Sequence, residues 1–75
     1  MVFETIRTLL AEQLGYDESR ISMRSSLSED LEAELTDLQE IMILLEQEYE
    51  IEWTEEELLQ LGTVADLISF VENQI

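Results

Sequence analysis

Apolar residues recur at helical spacing in the first and last parts of the chain. In the first part the stripe consists of Phe3, Ile6, Leu10 and Leu14. It predicts a helix over residues 2–14 that ends in a left-handed cap at Gly15. The last part has the clearest amphipathic pattern, formed by Val64, Leu67, Ile68, Val71 and Ile75. Thr63 stands before it in the position of a capping residue.

Two further helices are predicted between these. The second long helix is expected to begin at Thr36, because Thr36 and Gln39 have the spacing of a reciprocal capping box. Its inward face consists of Leu38, Ile41, Met42, Leu45 and Tyr49, whereas Ile43 points outward. The spacing of Thr54 and Glu57 repeats the capping signature and opens a short helix over residues 55–61, which ends before Gly62.

The long connection over residues 16–34 is too regular in its apolar residues for a solvated linker. Ile21, Leu27 and Leu31 are expected to fold back into the core, and Ser26 with Glu29 can cap a short turn. No stretch has the alternation of a strand. The sequence therefore predicts one all-α domain over residues 1–75. It is a small four-helix bundle with three longer helices, a short third helix and a long first loop.

Composition excludes several kinds of chemistry. The chain of 75 residues has no cysteine and no histidine, which rules out disulfides, thiolate zinc sites and Cys or His catalysis. Nineteen acidic residues against three arginines give a net charge of −16. Such a surface repels nucleic acid and anionic lipid and favours basic protein partners, although acidity can also serve solubility alone. The N-terminus reads as neither a signal peptide nor a membrane span, so we expect a cytoplasmic protein. We also expect a monomer.

Four segments together resemble the acyl carrier protein family over nearly the whole chain. They are AEQLG at 11–15, SSLSEDLEAE at 25–34, EIMILLEQEYEIEW at 40–53 and TVADLISFVENQI at 63–75. The resemblance implies a four-helix bundle with a serine at the start of the second helix. In that family the serine carries a 4′-phosphopantetheine arm whose thiol holds acyl groups. Acidic residues of the second helix dock onto basic patches of partner enzymes.

The match breaks at the attachment motif, which in the family is Asp-Ser-Leu after an Asp-Leu-Gly-Ala-like stretch. Asp30, Leu31 and Ala33 keep that stretch. At the divergent positions Glu32 replaces the glycine, Glu34 the aspartate, Leu35 the serine and Thr36 the leucine. A leucine has no hydroxyl to esterify, so no phosphopantetheine arm and no other cofactor is expected. Thr36 is the alternative attachment residue, although its hydroxyl is expected to cap the helix; Ser26 is expected to serve the turn.

The resemblance also implies a docking surface on the second helix. Its residues are Glu34, Asp37, Glu40, Ile43, Glu46 and Glu48, with Ile43 as an apolar contact inside the acidic field. The alternative is a merely solvated helix face. Gln39 stands where carriers usually show a second exposed apolar residue. Tyr49 and Trp53 are expected to close the bottom of the bundle rather than to form a binding platform.

Neither a metal site nor an active site is expected. The run Glu55-Glu56-Glu57 lacks the spacing of a calcium loop, and the paired carboxylates have no histidine or cofactor beside them.

Four functions remain open. The first is a carrier-fold protein without the arm that docks basic synthases or transferases of fatty acid, polyketide or peptide biosynthesis. The second is a working carrier modified at Thr36. The third is an acidic decoy or adaptor unrelated to acyl transfer. The fourth is a bundle that holds a fatty chain noncovalently in its core.

Overall fold

Helices account for the regular structure of residues 2–75, the part of the chain that the computed structural model describes. They are α1 (Val2–Leu14), α2 (Leu35–Tyr49), α3 (Glu55–Leu59) and α4 (Val64–Glu72). Over this range there is no strand, and Ser26 and Thr63 form an isolated antiparallel bridge. The predicted all-α class and the order of three longer helices and one short one are confirmed.

The core draws on all four helices and on the long first loop. Its most deeply buried large side chains are Ile6, Leu10, Leu27, Ile41, Met42, Leu45, Leu58, Val64, Leu67 and Val71. Ile75 was predicted to continue this apolar face, but α4 ends at Glu72 and Ile75 is 62% exposed. The prediction for Ile75 is therefore wrong, because the apolar spacing in the sequence continues for about one turn after the helix itself has ended.

The end of α1 follows the predicted glycine cap. Gly15 has φ +78°, and the backbone N–H groups of Gly15 and Tyr16 both donate to the carbonyl of Ala11, at 2.9 and 3.0 Å. A left-handed residue at this position lets the chain turn back while the last helical carbonyls stay hydrogen-bonded.

The connection between α1 and α2 is an ordered part of the bundle. Ile21, Leu27 and Leu31 are buried, as predicted. The Ser26 hydroxyl accepts the N–H of Glu29 at 3.2 Å, which confirms the predicted turn. One feature was not predicted, a single turn of 3₁₀ helix at Glu18–Arg20.

The same connection supplies hydrogen-bond acceptors to the start of α4. The N–H of Val64 donates to the carbonyl of Ser25 at 3.0 Å, and that of Ala65 donates to the carbonyl of Met23 at 2.9 Å. The next N–H, of Asp66, donates to the Thr63 hydroxyl at 3.2 Å. Amides that a helix leaves unpaired at its N-terminus are thus satisfied by the loop and by the predicted threonine cap.

The short third helix is capped as predicted but ends earlier. The Thr54 hydroxyl accepts the N–H of Glu57 at 3.2 Å, and a Glu57 carboxylate oxygen accepts the N–H of Thr54 at 3.0 Å. The α-helix ends at Leu59 rather than at residue 61. The N–H of Leu61 donates to the carbonyl of Leu58, which is a tighter turn than an α-helix makes.

Candidate docking helix and attachment position

The start of α2 lies one residue earlier than the sequence indicated. Glu34 is the N-terminal capping residue, and Leu35 is the first residue of the helix. The Asp37 carboxylate accepts the backbone N–H of Glu34 at 3.0 Å. The predicted capping box between Thr36 and Gln39 is therefore wrong. A carboxylate is a stronger acceptor than an amide and also interacts favourably with the positive end of the helix dipole, which favours Asp37 over Gln39.

Leu35 and Thr36 occupy the first two helical positions, and both are exposed. The side chain of Leu35 is 39% exposed, so an aliphatic group faces solvent at the first residue of the helix. Successive side chains on an α-helix differ by about 100° in direction. The Thr36 hydroxyl therefore projects from a different side of the helix than Leu35 does.

The approach to α2 keeps a backbone conformation that suits glycine. Glu32 has φ +52°, in the left-handed region, at the position where the resemblance implies glycine. On either side of it Leu31 and Ala33 are buried, and the N–H of Ala33 donates to the carbonyl of Leu27 at 2.8 Å. The buried neighbours fix the path of the chain, so Glu32 adopts a conformation that costs a residue with a Cβ roughly 1–2 kcal/mol.

Two of the six predicted docking residues lie on the side of α2 that faces α1. The carboxylate of Glu40 accepts a hydrogen bond from the side-chain amide of Gln13 on α1. Glu48 lines a shallow groove together with Glu4 and Leu9 of α1. These two carboxylates therefore belong to the α1–α2 boundary rather than to the middle of the exposed face.

Ile43 lies on the exposed face of α2, and the half-buried Glu46 lies on its flank. Ile43 is 47% exposed, and Glu46 follows it by three residues, which places both on one side of the helix. Leu44 is also exposed, at 38%, and the sequence analysis did not identify it. The sequence did contain a signal for this exposure. Leu44 is four residues from both Glu40 and Glu48, and residues at that spacing share a helix face.

The acidic residues of α2 carry no compensating positive charge. Within residues 2–75 the structure has one ion pair, between Arg7 Nε and Glu18 Oε1 at 3.4 Å, and it lies outside α2. The last turn of α2 contains no basic residue. α2 therefore carries uncompensated carboxylates, with Ile43 exposed on its open side, Leu44 exposed toward the α1 boundary and Leu35 exposed at its first residue.

Two carboxyl groups outside α2 have altered acidity. Backbone N–H groups of Gly62 and Thr63 donate to the Asp66 carboxylate, at 3.0 and 3.1 Å, and lower the pKa of that group below 3.8. The backbone N–H of Ser19 similarly lowers the pKa of Asp17. Both groups are structural, since each satisfies amides at the start of a helix.

The remaining predicted features have simple positions. Tyr49 and Trp53 are partly buried and pack against the core. Among the described residues no group of acidic side chains is arranged to hold a metal ion. None of the helices in that range combines the length and hydrophobicity that a bilayer crossing needs.

Known proteins match this chain over nearly its full length. Residues 4–71 match the family described as a phosphopantetheine attachment site. An acyl carrier protein of Clostridium acetobutylicum is 38% identical over 71 residues, which cover 95% of this chain and 92% of the relative. An acyl carrier protein of Chlamydia caviae is 35% identical over the same shares of the two chains. The chain thus belongs to the acyl carrier protein family.

Proposed function

We propose that this protein is a carrier-fold docking protein without the phosphopantetheine arm, which binds basic carrier-dependent synthases or transferases through the exposed side of α2. The observation that carries the proposal is the exposed aliphatic side chain of Leu35 at the first residue of α2. Phosphopantetheine is joined to its carrier through a phosphate ester of a side-chain hydroxyl, and Leu35 has none to offer.

The charge of α2 supports the docking part of the proposal. Its carboxylates have no ion-pair partner within the described chain, and a net charge of −16 enhances the local negative potential. Such a potential accelerates encounter with a positive surface and loses this effect as salt is added. Ile43 then provides apolar area that a partner can remove from water, while the carboxylates form the rim.

A substitution that restores the hydroxyl tests the first part. Wild type, Leu35→Ser and Leu59→Ser are each incubated with coenzyme A and a phosphopantetheinyl transferase of broad specificity, and intact mass is measured. Leu59 is 66% exposed on α3, so its replacement is a matched control at a site unrelated to attachment. We expect one added phosphopantetheine group in Leu35→Ser and none in the other two proteins.

A working carrier modified at Thr36 is the second candidate, and one observation favours it. Glu34 and Asp37 cap α2, so capping does not explain the Thr36 hydroxyl. Two points argue against it. The Thr36 side chain points about 100° away from the direction of Leu35, and a secondary hydroxyl is less reactive than the primary hydroxyl of serine. A mass gain in wild type that Thr36→Val abolishes would establish this function and refute the loss of the arm.

The transferase can also serve as the basic partner in a docking test. In the Leu35→Ser background, Glu46→Lys or Ile43→Ser is expected to lower the rate of modification roughly threefold to tenfold at low salt, since each weakens the encounter surface. Glu72→Lys changes the charge equally but lies on α4 and should leave the rate close to that of its parent. Equal effects of Glu46→Lys and Glu72→Lys would mean that only net charge matters, as an acidic decoy would show.

A further inference from the structure

A second recognition site is suggested by the cavity between the segment before α3 and the end of α4. This cavity has a volume of about 710 Å³, and its lining includes Trp53, Phe70, Glu52, Glu57 and Asn73. The volume lies within the range of ~300–1,000 Å³ that small-molecule binding sites occupy. Two aromatic rings and two carboxylates therefore share one open cavity.

The accessible part of Trp53 is its apolar ring rather than its polar edge. The indole Nε1 atom is buried and has no hydrogen-bond partner among the described residues, whereas the residue as a whole is only partly buried. The side-chain atoms of Trp53 that remain accessible are hence carbon atoms. Indole is the best of the aromatic side chains at attracting a cation over its face.

This chain already pairs guanidinium groups with two of its other aromatic residues. The guanidinium of Arg7 lies 5.1 Å from the ring centre of Phe3, and that of Arg20 lies 5.1 Å from the ring centre of Tyr16. Both distances are within the ~6 Å at which such contacts are attractive. Neither arginine lines the cavity at Trp53, and no basic side chain does. The carboxylates there add negative charge without an internal cation.

The wall of the cavity is held in place by other contacts. The side-chain amide of Gln74 bonds the backbone of Glu52 twice: it accepts the Glu52 N–H at 2.8 Å and donates to the Glu52 carbonyl at 2.9 Å. The Glu57 carboxylate is fixed by Thr54 through the capping box of α3. Because these bonds fix the cavity wall before any ligand arrives, binding has less ordering cost.

We infer that this cavity binds an arginine side chain of a basic partner protein, with the guanidinium against Trp53 and Phe70 and its charge facing Glu57. A planar guanidinium suits this combination, because it stacks on aromatic faces and pairs with carboxylates through several donors. The inference rests on the proposed function in that it assumes a basic partner. The proposed cavity is a second site, separate from Leu35. Leu35 is the first residue of α2, whereas the cavity lies beyond the last one, and a helix of 15 residues is about 22 Å long.

The single tryptophan of the chain provides a direct readout. Purified protein is titrated with the peptide acetyl-Gly-Arg-Gly-amide at physiological salt, and the fluorescence of Trp53 is followed. The matched ligand carries citrulline in place of arginine and lacks only the charge. We expect saturable binding of the arginine peptide and none of the citrulline peptide over the same concentrations.

Variants of the cavity separate a specific site from diffuse attraction. Phe70→Leu keeps an apolar side chain, and Glu57→Gln keeps the acceptor that caps α3; each should weaken binding about twofold to fivefold, the size of one such contact at an exposed site. Glu12→Gln removes an exposed charge from α1 and should leave binding unchanged. Equal weakening by Glu12→Gln and Glu57→Gln, or equal binding of the citrulline peptide, would overturn the inference.

The same titration distinguishes an arginine site from diffuse attraction of any cation, and its result is independent of the docking function proposed for α2. Tighter binding of a free polyamine such as spermidine, unaffected by Phe70→Leu, would indicate diffuse ion attraction and refute the arginine site. The peptide assay involves neither Leu35 nor the exposed side of α2. Its failure would therefore leave the docking function of α2 standing, and a failure of the transferase assays would leave this cavity to be judged by its own titration.

Discussion

Replacing Glu50 by glycine should stabilise the protein, because this residue ends α2 in an unfavourable conformation. Glu50 has φ +56° and ψ +41°, and its N–H donates to the carbonyl of Glu46 at 2.8 Å. The left-handed region costs a residue with a Cβ roughly 1–2 kcal/mol, and glycine avoids that cost. Glycine loses about 0.4–1 kcal/mol more chain entropy on folding, so the middles of the two ranges leave a net gain of about 0.8 kcal/mol.

Charge contributes separately at this position. A carboxylate at the C-terminal end of a helix lies at the negative end of the helix dipole, and removing it gains about 0.3–1 kcal/mol at low ionic strength. Glu50→Gln removes the charge but keeps the backbone cost, so it measures this part alone. Glu50→Gly should exceed Glu50→Gln by the conformational part, which corresponds to a difference in Tm of roughly 2–8 °C for a domain of this size.

Thermal unfolding followed by far-ultraviolet circular dichroism measures both parts. The three proteins are melted at low salt and again at about 1 M salt, where the screening length falls to ~3 Å. The advantage of Glu50→Gln over wild type should shrink at high salt, whereas the advantage of glycine over glutamine should persist. A glycine variant no more stable than the glutamine variant would refute the conformational argument. A difference that vanishes with salt would show that charge alone is responsible.

Three further outcomes are expected. Glu32→Gly should also raise Tm, since φ at this residue is +52° and only a weak 3.4 Å contact from the Tyr16 hydroxyl is lost. Leu67→Ala should lower the free energy of unfolding in urea by about 2–5 kcal/mol, whereas Ile75→Ala, at a 62% exposed residue, should leave it nearly unchanged. Because the pKa of Asp66 is lowered, the ionised carboxylate stabilises the folded state above pH 3.8. This stabilisation is lost as the pH falls through the lowered pKa. In Asp66→Asn the free energy of unfolding should therefore fall less on acidification than it does in wild type, which urea unfolding at a series of pH values would measure.

Local chemistry made much of the fold predictable from the sequence. Gly15, Thr54 and Thr63 each act within one helical turn, so the residues that determine the cap are adjacent in sequence. The start of α2 was wrong by one residue for the same reason. Two overlapping capping patterns compete there, and the carboxylate of Asp37 is the better acceptor.

Features that depend on packing between distant segments were not predictable in this way. Glutamate has no preference for positive φ, so neither Glu32 nor Glu50 signals a left-handed turn. Glu50 adopts one because the next residue, Ile51, must enter the core, where it is 5% exposed. Leu44 likewise has an apolar side chain on the outer part of α2, and only the docking of α1 against α2 determines how much of it stays exposed.

The candidate site divides along the same lines. The position of Leu35 at the helix start follows from sequence, because the resemblance places it within a residue of the observed boundary. The contact between Gln13 and Glu40 joins two helices and has no local signal. The sequence pattern therefore identified the acidic residues of α2, whereas the structure shows that Glu40 and Glu48 face the α1 boundary and that Asp37 and Glu46 are half-buried.

Two backbone hydrogen bonds, which the carbonyls of Ser25 and Met23 accept from the start of α4, connect the long first loop to the last helix. Because the amides of Val64 and Ala65 donate to carbonyls of residues 23–25, we expect their protons to exchange slowly with deuterium only while those residues stay in place. Detachment of the loop would therefore expose these two protons to solvent exchange as a pair, without melting the later turns of α4. Their exchange rates would report the local opening of a segment that lies some forty positions earlier in sequence, in the loop that precedes α2.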